Sequence, residues 1–213
     1  VAECRNKTVN LNQQGVATIS ASQVEDDSHD NCGVDFVSVS PSSFNCSKIG
    51  ANTVVLTATD NSGNTGTCTA IVTVNDVTRP TISCLQNKTI NLGANCTIVM
   101  PNYSSNTVVG DNCSATVTQS PAAGTILTGA ASIKVTMTAT DPSGNSSSAY
   151  FYLYTKDVTP PTAICRNVTA NIGSNGSVSV TSTMVNNGSS DGCGINEMYL
   201  SNNCNTNFDC DDV

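Results

Sequence analysis

The sequence predicts an all-β protein made of tandem antiparallel β-sandwiches arranged end to end, with the third sandwich truncated. Three observations predict this fold class: the sequence repeats itself about every 80 residues, short stretches alternate between apolar and polar residues, and every repeat contains several cysteines. No stretch has a convincing helical period. The repeats place the predicted modules at residues 1–78, 79–159 and 160–213.

The repeat is carried by four landmarks that share one spacing. Asp-Asn-Cys at 30–32 returns at 111–113 and, as Asp-Gly-Cys, at 191–193, which are spacings of 81 and 80 residues. The other landmarks are Cys4, Cys84 and Cys165; the segments 58–64 and 139–145; and the segments 76–80 and 157–161. In this register the sequence begins just after a linker and stops before the last turn of its third repeat. We therefore expect it to be an excerpt that is cut at both ends.

Alternation of apolar and polar residues predicts the strands. In 132–140, Ile133, Val135, Met137 and Ala139 point to one face and the intervening Lys and Thr residues to the other. Other predicted strands are 8–12, 15–22 and 34–40, together with one that turns Cys68, Ala70, Val72 and Val74 inward. Ser-Gly-Asn at 62–64 and 143–145 predicts tight hairpins, because glycine adopts positive φ without strain.

Composition narrows the class of protein. The net charge of -8 and the pI near 4.3 leave no basic patch for phosphate, so a nucleic-acid partner is not expected. No apolar run is long enough to predict membrane insertion in this segment. Modules of about 80 residues have small cores, and 11 cysteines provide the cross-links that such cores need in an oxidising, extracellular setting.

Acidic residues gather in the predicted turns. In a sandwich of alternating strands the Asp30 loop and the Asp60 turn share the N-terminal pole, and in the second repeat that pole brings Asp111 and Asp141 next to the linker residue Asp76. Asp157 and Asp191 are the matching residues one repeat later. Such converging carboxylates predict a calcium site at the repeat boundary. The alternative is that these residues only cap turns through Asx-type hydrogen bonds.

The segment 50–80 carries a longer pattern, Gly-x-x-x-Val-x-x-Thr-Ala-Thr-Asp-x-Ser-Gly-Asn followed by an inward cysteine and Asp-x-x-x-Pro. This pattern resembles the hyalin-repeat (HYR) family, whose members are Ig-like sandwiches in extracellular adhesive proteins. Asp-Asn-Cys-Gly at 30–33 and Phe-Asn-Cys at 44–46 further resemble the repeats of giant SprB-type surface adhesins of gliding Bacteroidetes. That resemblance implies export by the type IX system and anchoring to outer-membrane machinery through regions outside this segment.

The resemblance also implies disulfides. It pairs Cys4 with Cys68 and Cys32 with Cys46. The second repeat departs from the pattern, since Ala149 stands where Cys68 would be, and there we pair Cys96 with Cys113. Cys193 with Cys210 follows the same scheme in the third repeat. A rival scheme pairs Cys4 with Cys32 and Cys46 with Cys68, and sequence alone leaves connectivity open.

No catalytic motif accompanies the only histidine, His29, so we read it as an exposed loop residue and expect no enzyme activity. Tyr150, Tyr152 and Tyr154 alternate with apolar residues and predict an outward strip that either contacts extracellular surfaces or glycans or merely covers the sheet. The sequence favours the non-catalytic stalk of a cell-surface adhesin. Accessory repeats of a secreted hydrolase and an animal extracellular-matrix protein remain the alternatives.

Overall fold

A computed structural model of the protein describes residues 1–83 and 85–200, and the backbone of residues 207–209. The described residues are almost entirely β structure, so the predicted class of β-sandwich repeats is confirmed. The strands are β1 (Lys7–Asn10), β2 (Val16–Thr18), β3 (Val34–Ser40), β4 (Ser43–Asn45), β5 (Gly50–Asp60), β6 (Thr65–Asn75), β7 (Thr81–Ile82), β8 (Lys88–Asn91), β9 (Thr97–Val99), β10 (Val109–Gly110), β11 (Thr116–Ser120), β12 (Ile126–Thr128), β13 (Ser132–Thr140), β14 (Ser146–Lys156), β15 (Ser177–Ser179) and β16 (Asn207–Asp209). The helical residues are α1 (Ser182–Val185) and the 3-10 turns Ala21–Gln23, Cys46–Lys48 and Ser104–Asn106.

The first repeat packs a four-stranded sheet, in the order β1-β6-β5-β3, against the small pair β2-β4. β1 runs parallel to β6, and the remaining pairs are antiparallel. The core between them is made of Leu11, Ala17, Ile19, Val24, Phe44, Val54, Leu56, Ala70, Val72 and Val74. Cys68 packs against this core, as its place in the alternation predicts.

Most predicted strands are found, and two of them are shorter than predicted. The strand expected over 34–40 is β3 with the same bounds, and the one expected over 8–12 is the shorter β1. The strand expected over 15–22 ends at Thr18. It ends there because the Gln23 side chain accepts a hydrogen bond from the Ser20 backbone N–H at 2.9 Å, which starts a 3-10 turn instead.

The second repeat repeats this arrangement with the sheet β11-β13-β14-β8 and the pairs β12-β9 and β10-β7. β13 has the predicted bounds, and its inward residues Val135, Met137 and Ala139 are buried. In the third repeat β15 pairs with β16. Among the described residues, the structure has no helix of the length and apolar character needed to cross a membrane.

The chain divides into two compact units that cut across the repeats. The first contains 1–85, 103–120 and 136–150, and the second contains 86–102, 121–135 and the chain from 151 onward. The junction between the first and second repeats lies within the first unit, and the junction between the second and third repeats lies within the second. The repeat limits after residues 78 and 159 stay a prediction.

Candidate functional site at the repeat boundaries

Two disulfides join neighbouring repeats. Cys46 of the first repeat bonds to Cys113 of the second, with their Cα atoms 5.5 Å apart. Cys96 of the second repeat bonds to Cys193 of the third, with a Cα separation of 4.7 Å. The structure also contains the expected link within the first repeat, between Cys4 and Cys68.

The other predicted pairs are wrong. Cys32–Cys46, Cys96–Cys113 and Cys193–Cys210 do not form, because Cys46, Cys96, Cys113 and Cys193 are all bonded across boundaries. The rival scheme fails as well, since it needs Cys4 and Cys68 in different bonds. Cys32 and Cys165 are free and exposed. Cys84, Cys204 and Cys210 lie outside the described residues.

Strand β3 explains why Cys32 cannot reach Cys46. Cys32 precedes β3, next to the end of β5, whereas Cys46 follows β4 near the opposite end of the repeat. The seven residues of β3 extend over about 23 Å, and a disulfide needs Cα atoms within about 7 Å. Cys32 and Cys46 therefore lie at different poles, and Cys46 bonds to the next repeat while Cys32 is free.

Cys46 and Cys96 are the boundary cysteines at the C-terminal poles of the first and second repeats. They lie beside different members of the equivalent strand pairs β2-β4 and β9-β12, and each is opposite a glycine. Gly15 precedes β2 with a φ of 71°, and its counterpart 81 residues later is Cys96, which precedes β9 with a φ of 56°. Cys46 follows β4, and its counterpart after β12 is Gly129. A Cβ at Gly15 would lie 2.8 Å from the Cys46 sulfur, so the glycine leaves room for its neighbour's disulfide. Cysteine and glycine thus exchange places between the two repeats.

The first boundary also brings three carboxylates together, as the sequence predicts. Asp76 follows β6, Asp111 follows β10 and Asp141 follows β13, and one oxygen of each lies within 4.8 Å of the others. Asp76 and Asp141 are only 6% and 5% exposed, and Asp111 is half-buried. Three acidic groups from distant parts of the sequence therefore share one buried site.

Two asparagines organise this site. The side-chain amide of Asn145 donates to the Asp76 backbone oxygen at 3.0 Å and to Asp141 Oδ2 at 2.8 Å. The amide of Asn112 donates to Asp76 Oδ1 at 3.1 Å and to the Asn12 backbone oxygen at 3.2 Å. Together these bonds hold the linker aspartate and the second repeat's loops in place.

Some of the site's oxygens have no hydrogen-bond donor. In the part of the chain that the structure describes, the buried side-chain polar atoms without a partner are Asp76 Oδ2, Asp111 Oδ1, Asn112 Oδ1 and Asp191 Oδ2. All are oxygens, and all lie in the boundary loops. Burying an unsatisfied carboxylate oxygen is costly, and the salt bridge Arg5–Asp26 lies elsewhere. Turn capping explains the partnered oxygens but not these, whereas a hard divalent cation, which takes about six to eight oxygen ligands, would satisfy them.

The second boundary also has an acidic group. Asp157 and Asp191 approach each other beside Cys193, all within 4.8 Å, and both aspartates are half-buried. The Cys193 sulfur is part of a disulfide and so is not a thiolate ligand. Asn112 of the first boundary is replaced here by Gly192, where a Cβ would overlap the Ala94 carbonyl.

The N-terminal pole of the first repeat has the equivalent loops. Asp30 and Asp60 line one pocket of about 140 Å³. Asp60 accepts hydrogen bonds from the Asn64 side chain and from the backbone N–H groups of Asn64 and Ser62, each at 2.8 Å. The Asn64 side-chain bond, followed by the backbone bonds, lowers the pKa of Asp60. His29 is exposed here, as expected.

The three tyrosines of β14 face outward. Tyr150, Tyr152 and Tyr154 are 51%, 37% and 41% exposed, while Phe151 and Leu153 between them are buried. The rings of Tyr152 and Tyr154 are stacked, with centroids 6.3 Å apart. The predicted outward direction is confirmed, and the binding role stays a prediction.

This chain was compared with curated proteins, solved structures and protein families. A search of curated proteins found no match. Among solved structures, the chain is similar to protocadherin gamma C5 EC1-3 (14% identity over 72% of this chain and 67% of that one, TM-score 0.37). It is also similar to titin I67–I69 (11%, 76% and 66%, TM-score 0.35) and to Sidekick-1 immunoglobulin domains 1–4 (10%, 73% and 48%, TM-score 0.34). The chain thus spans about half the length of the Sidekick-1 fragment.

Residues 1–74, nearly the whole first repeat, match the HYR domain family. This match and the disulfides indicate an extracellular protein.

Proposed function

We propose that this protein is a non-catalytic, extracellular adhesion-type repeat region whose repeat boundaries are fixed in two ways, by a disulfide and by a calcium ion. The observation that carries the proposal is that the unpartnered buried side-chain oxygens of the described residues all lie in the boundary loops. The boundary disulfides support the same reading, because they place a covalent link at each junction.

The ligands come from both sides of the junction. Asp76 belongs to the linker, whereas Asp111 and Asp141 belong to the second repeat. When bound, Ca²⁺ supplies positive charge to this acidic site. The three aspartates would then hold the linker against the next repeat, and a ligand that binds only this arrangement stabilises it by mass action. Repeating such a junction along a chain favours a stiff stalk.

Calcium titration combined with thermal melting tests the proposal. We expect Ca²⁺ to raise the melting midpoint of the wild-type protein, and Asp76→Asn to remove much of that increase. Asp35→Asn is the matched control, because Asp35 is an exposed strand residue outside the cluster. A wild-type midpoint that does not move between chelator and millimolar Ca²⁺ would contradict the proposal.

The biological setting we propose is the stalk of a type IX-exported adhesin of the gliding type, anchored through outer-membrane machinery. The motifs at 30–33 and 44–46 support it by resemblance. The alternatives are accessory repeats of a secreted hydrolase and an extracellular-matrix protein. Sequencing the parent gene separates them, since many further repeats favour the adhesin and a glycosidase or protease domain favours the enzyme.

A second candidate role is direct contact with an extracellular glycan. The stacked, exposed rings of Tyr152 and Tyr154 favour it, because tyrosine offers apolar area together with a polar tip. Tyr152→Ser/Tyr154→Ser should reduce retention of the protein on polysaccharide-coated surfaces. Thr67→Ser, at an exposed position on the first repeat's sheet, serves as the control. Unchanged retention of the tyrosine variant would exclude this role.

A further inference from the structure

We propose that the Cys46–Cys113 disulfide is a positioning element of the first cation site, so that the bond and a bound Ca²⁺ stabilise each other. This inference rests on the proposed calcium site. It adds that the covalent link and the ligand set form one coupled unit, and that the disulfide within the first repeat takes no part in it.

The coupling begins in the loop that carries both groups. Asp111 and Cys113 are separated by one residue, and Asp111 Oδ2 accepts hydrogen bonds from the backbone N–H groups of Cys113 at 3.0 Å and Ser114 at 2.9 Å. The Asp111 carboxylate is therefore tied to the backbone at Cys113. Whatever fixes Cys113 in space also fixes Asp111 Oδ1, which has no partner in the site.

The disulfide fixes Cys113 to the first repeat. Cys46 and Cys113 both pack against the first repeat's core. Apart from this bond, the loop is held through the Asn112 amide, which reaches Asn12 and Asp76. The covalent link is thus the strongest of the attachments that hold this loop over Asp76.

Repulsion among the three carboxylates is the reason that the Cys46–Cys113 bond affects the site. Asp76, Asp111 and Asp141 approach within 4.8 Å, and like charges at such a distance in a buried site repel strongly. Without a cation, the simplest relief is for the Asp111 loop to move away. The disulfide prevents that movement and keeps the ligands assembled, so the ion need not draw them together on binding.

Linkage then requires the effect to be reciprocal. If the intact disulfide raises the affinity for Ca²⁺, bound Ca²⁺ must disfavour reduction of the disulfide by the same factor. In that reduction a small dithiol supplies two electrons and two protons, the S–S bond breaks, Cys46 and Cys113 become thiols, and the dithiol closes to its own disulfide.

The chain offers a matched control for the test. Cys4–Cys68 and Cys46–Cys113 close sequence separations of 64 and 67 residues, so removing either one relaxes the unfolded chain to a similar degree. We compare Cys46→Ser/Cys113→Ser with Cys4→Ser/Cys68→Ser and with wild type, and measure Ca²⁺ binding by calorimetry. We expect the boundary variant to lose about tenfold or more in affinity at one site, within the usual range of such couplings, and the control variant to bind as wild type does.

The outcomes separate this inference from the function on which it rests. If wild type binds Ca²⁺ and the boundary variant binds equally well, the coupling is wrong and the calcium site stands. If wild type does not bind Ca²⁺, both are wrong. Should the boundary variant fail to fold, peptide mapping of wild type equilibrated in dithiol–disulfide buffers decides the question. Ca²⁺ is expected to raise the oxidised fraction of Cys46–Cys113 more than that of Cys4–Cys68, and an equal change in both bonds, or in neither, would overturn the coupling.

Discussion

The two repeat boundaries solve one geometric problem with different residues. At both, a cysteine from the C-terminal pole of one repeat bonds to the cysteine of the next repeat's Asp-x-Cys loop. At the first boundary that cysteine follows β4, and at the second it precedes β9. The loop of the first boundary has Asn112 where the loop of the second has Gly192.

This difference teaches that either strand of the small pair can carry the boundary cysteine. The residue opposite each cysteine is glycine, Gly15 at one boundary and Gly129 at the other. A Cβ would be crowded at Gly15, whereas a Cβ at Gly129 would meet no atom within 4 Å. Cys96 even adopts the left-handed conformation that Gly15 has in the first repeat, although a side chain disfavours it. The Cys96–Cys193 bond therefore forms from a residue in a disfavoured backbone conformation.

Moving the cysteine tests this reading most severely. Cys46→Gly alone removes a bond that closes 67 residues and should lower the free energy of unfolding by about 4 kcal/mol. Adding Gly15→Cys converts the first boundary to the second's arrangement and should recover part of the loss. A left-handed cysteine costs about 1–2 kcal/mol, and its Cβ would lie 2.5 Å from the Asn112 backbone oxygen, which must move. Chemical denaturation without reductant measures both variants. A double variant whose Cys113 stays a free thiol in peptide mapping would show that the two strands are not interchangeable.

The fold could be predicted because its determinants are local or periodic. Alternation fixed the inward face of β13, and shared poles of antiparallel strands brought Asp76, Asp111 and Asp141 together. Disulfide pairing could not be predicted in the same way, because spacing along the sequence does not say at which pole a cysteine lies. The assumption that every pair closes within its own repeat was the error.

A signal for the boundary pairing does exist in the sequence. Cys96 falls 81 residues after Gly15, in the one repeat that lacks a cysteine at the Cys46 position. The third repeat returns to the first arrangement in sequence, with Gly176 before β15 and Cys210 after β16, although Cys210 lies outside the described residues. Each repeat thus has one glycine and one cysteine at these two positions, and this exchange is the sequence signal for a disulfide at the boundary.

Adding a side chain at Gly192 should lower the free energy of unfolding more than removing the side chain of Asn112. A Cβ at Gly192 would overlap the Ala94 carbonyl, so Gly192→Ala should cost about 1–3 kcal/mol through forced movement of the loop. Asn112→Gly, the reciprocal change, removes the amide bonds to Asp76 and Asn12 and should cost about 1 kcal/mol. Denaturation of both variants measures the difference, and equal stability of Gly192→Ala and wild type would show that the close approach is not constraining.

Removing one carboxylate tests whether the turn residue Asp141 is a ligand at the first boundary. Asp141→Asn keeps the shape of the side chain but leaves two acidic ligands, so we expect its Ca²⁺ affinity to fall by about tenfold or more, since ligand charge tunes calcium sites. Asp60→Asn, in the equivalent turn of the first repeat, is the control and should leave Ca²⁺ binding unchanged. Calorimetry reports both, and an unchanged binding curve for Asp141→Asn would exclude Asp141 as a ligand.

The smallest effect on stability is expected at the Asp60 turn of the first repeat, which is equivalent to the Asp141 turn but more exposed. The Asn64 side chain is the largest cause of the lowered pKa of Asp60, so Asn64→Ala should raise that pKa toward its ordinary value. Because the folded-state pKa lies below the unfolded one, this carboxylate stabilises the fold above the unfolded pKa, and its contribution disappears as pH falls through the folded pKa. The variant should therefore be slightly less stable than wild type above the unfolded pKa, neutral pH included, and the difference should disappear as pH falls through the folded pKa. Carboxyl-carbon NMR titration measures the shift, with Asn61→Ala as the control, because that amide bonds to the Cys32 backbone oxygen instead. An unmoved Asp60 pKa in Asn64→Ala would assign the lowering to the turn's backbone N–H groups, which Asp141 shares through Asn145.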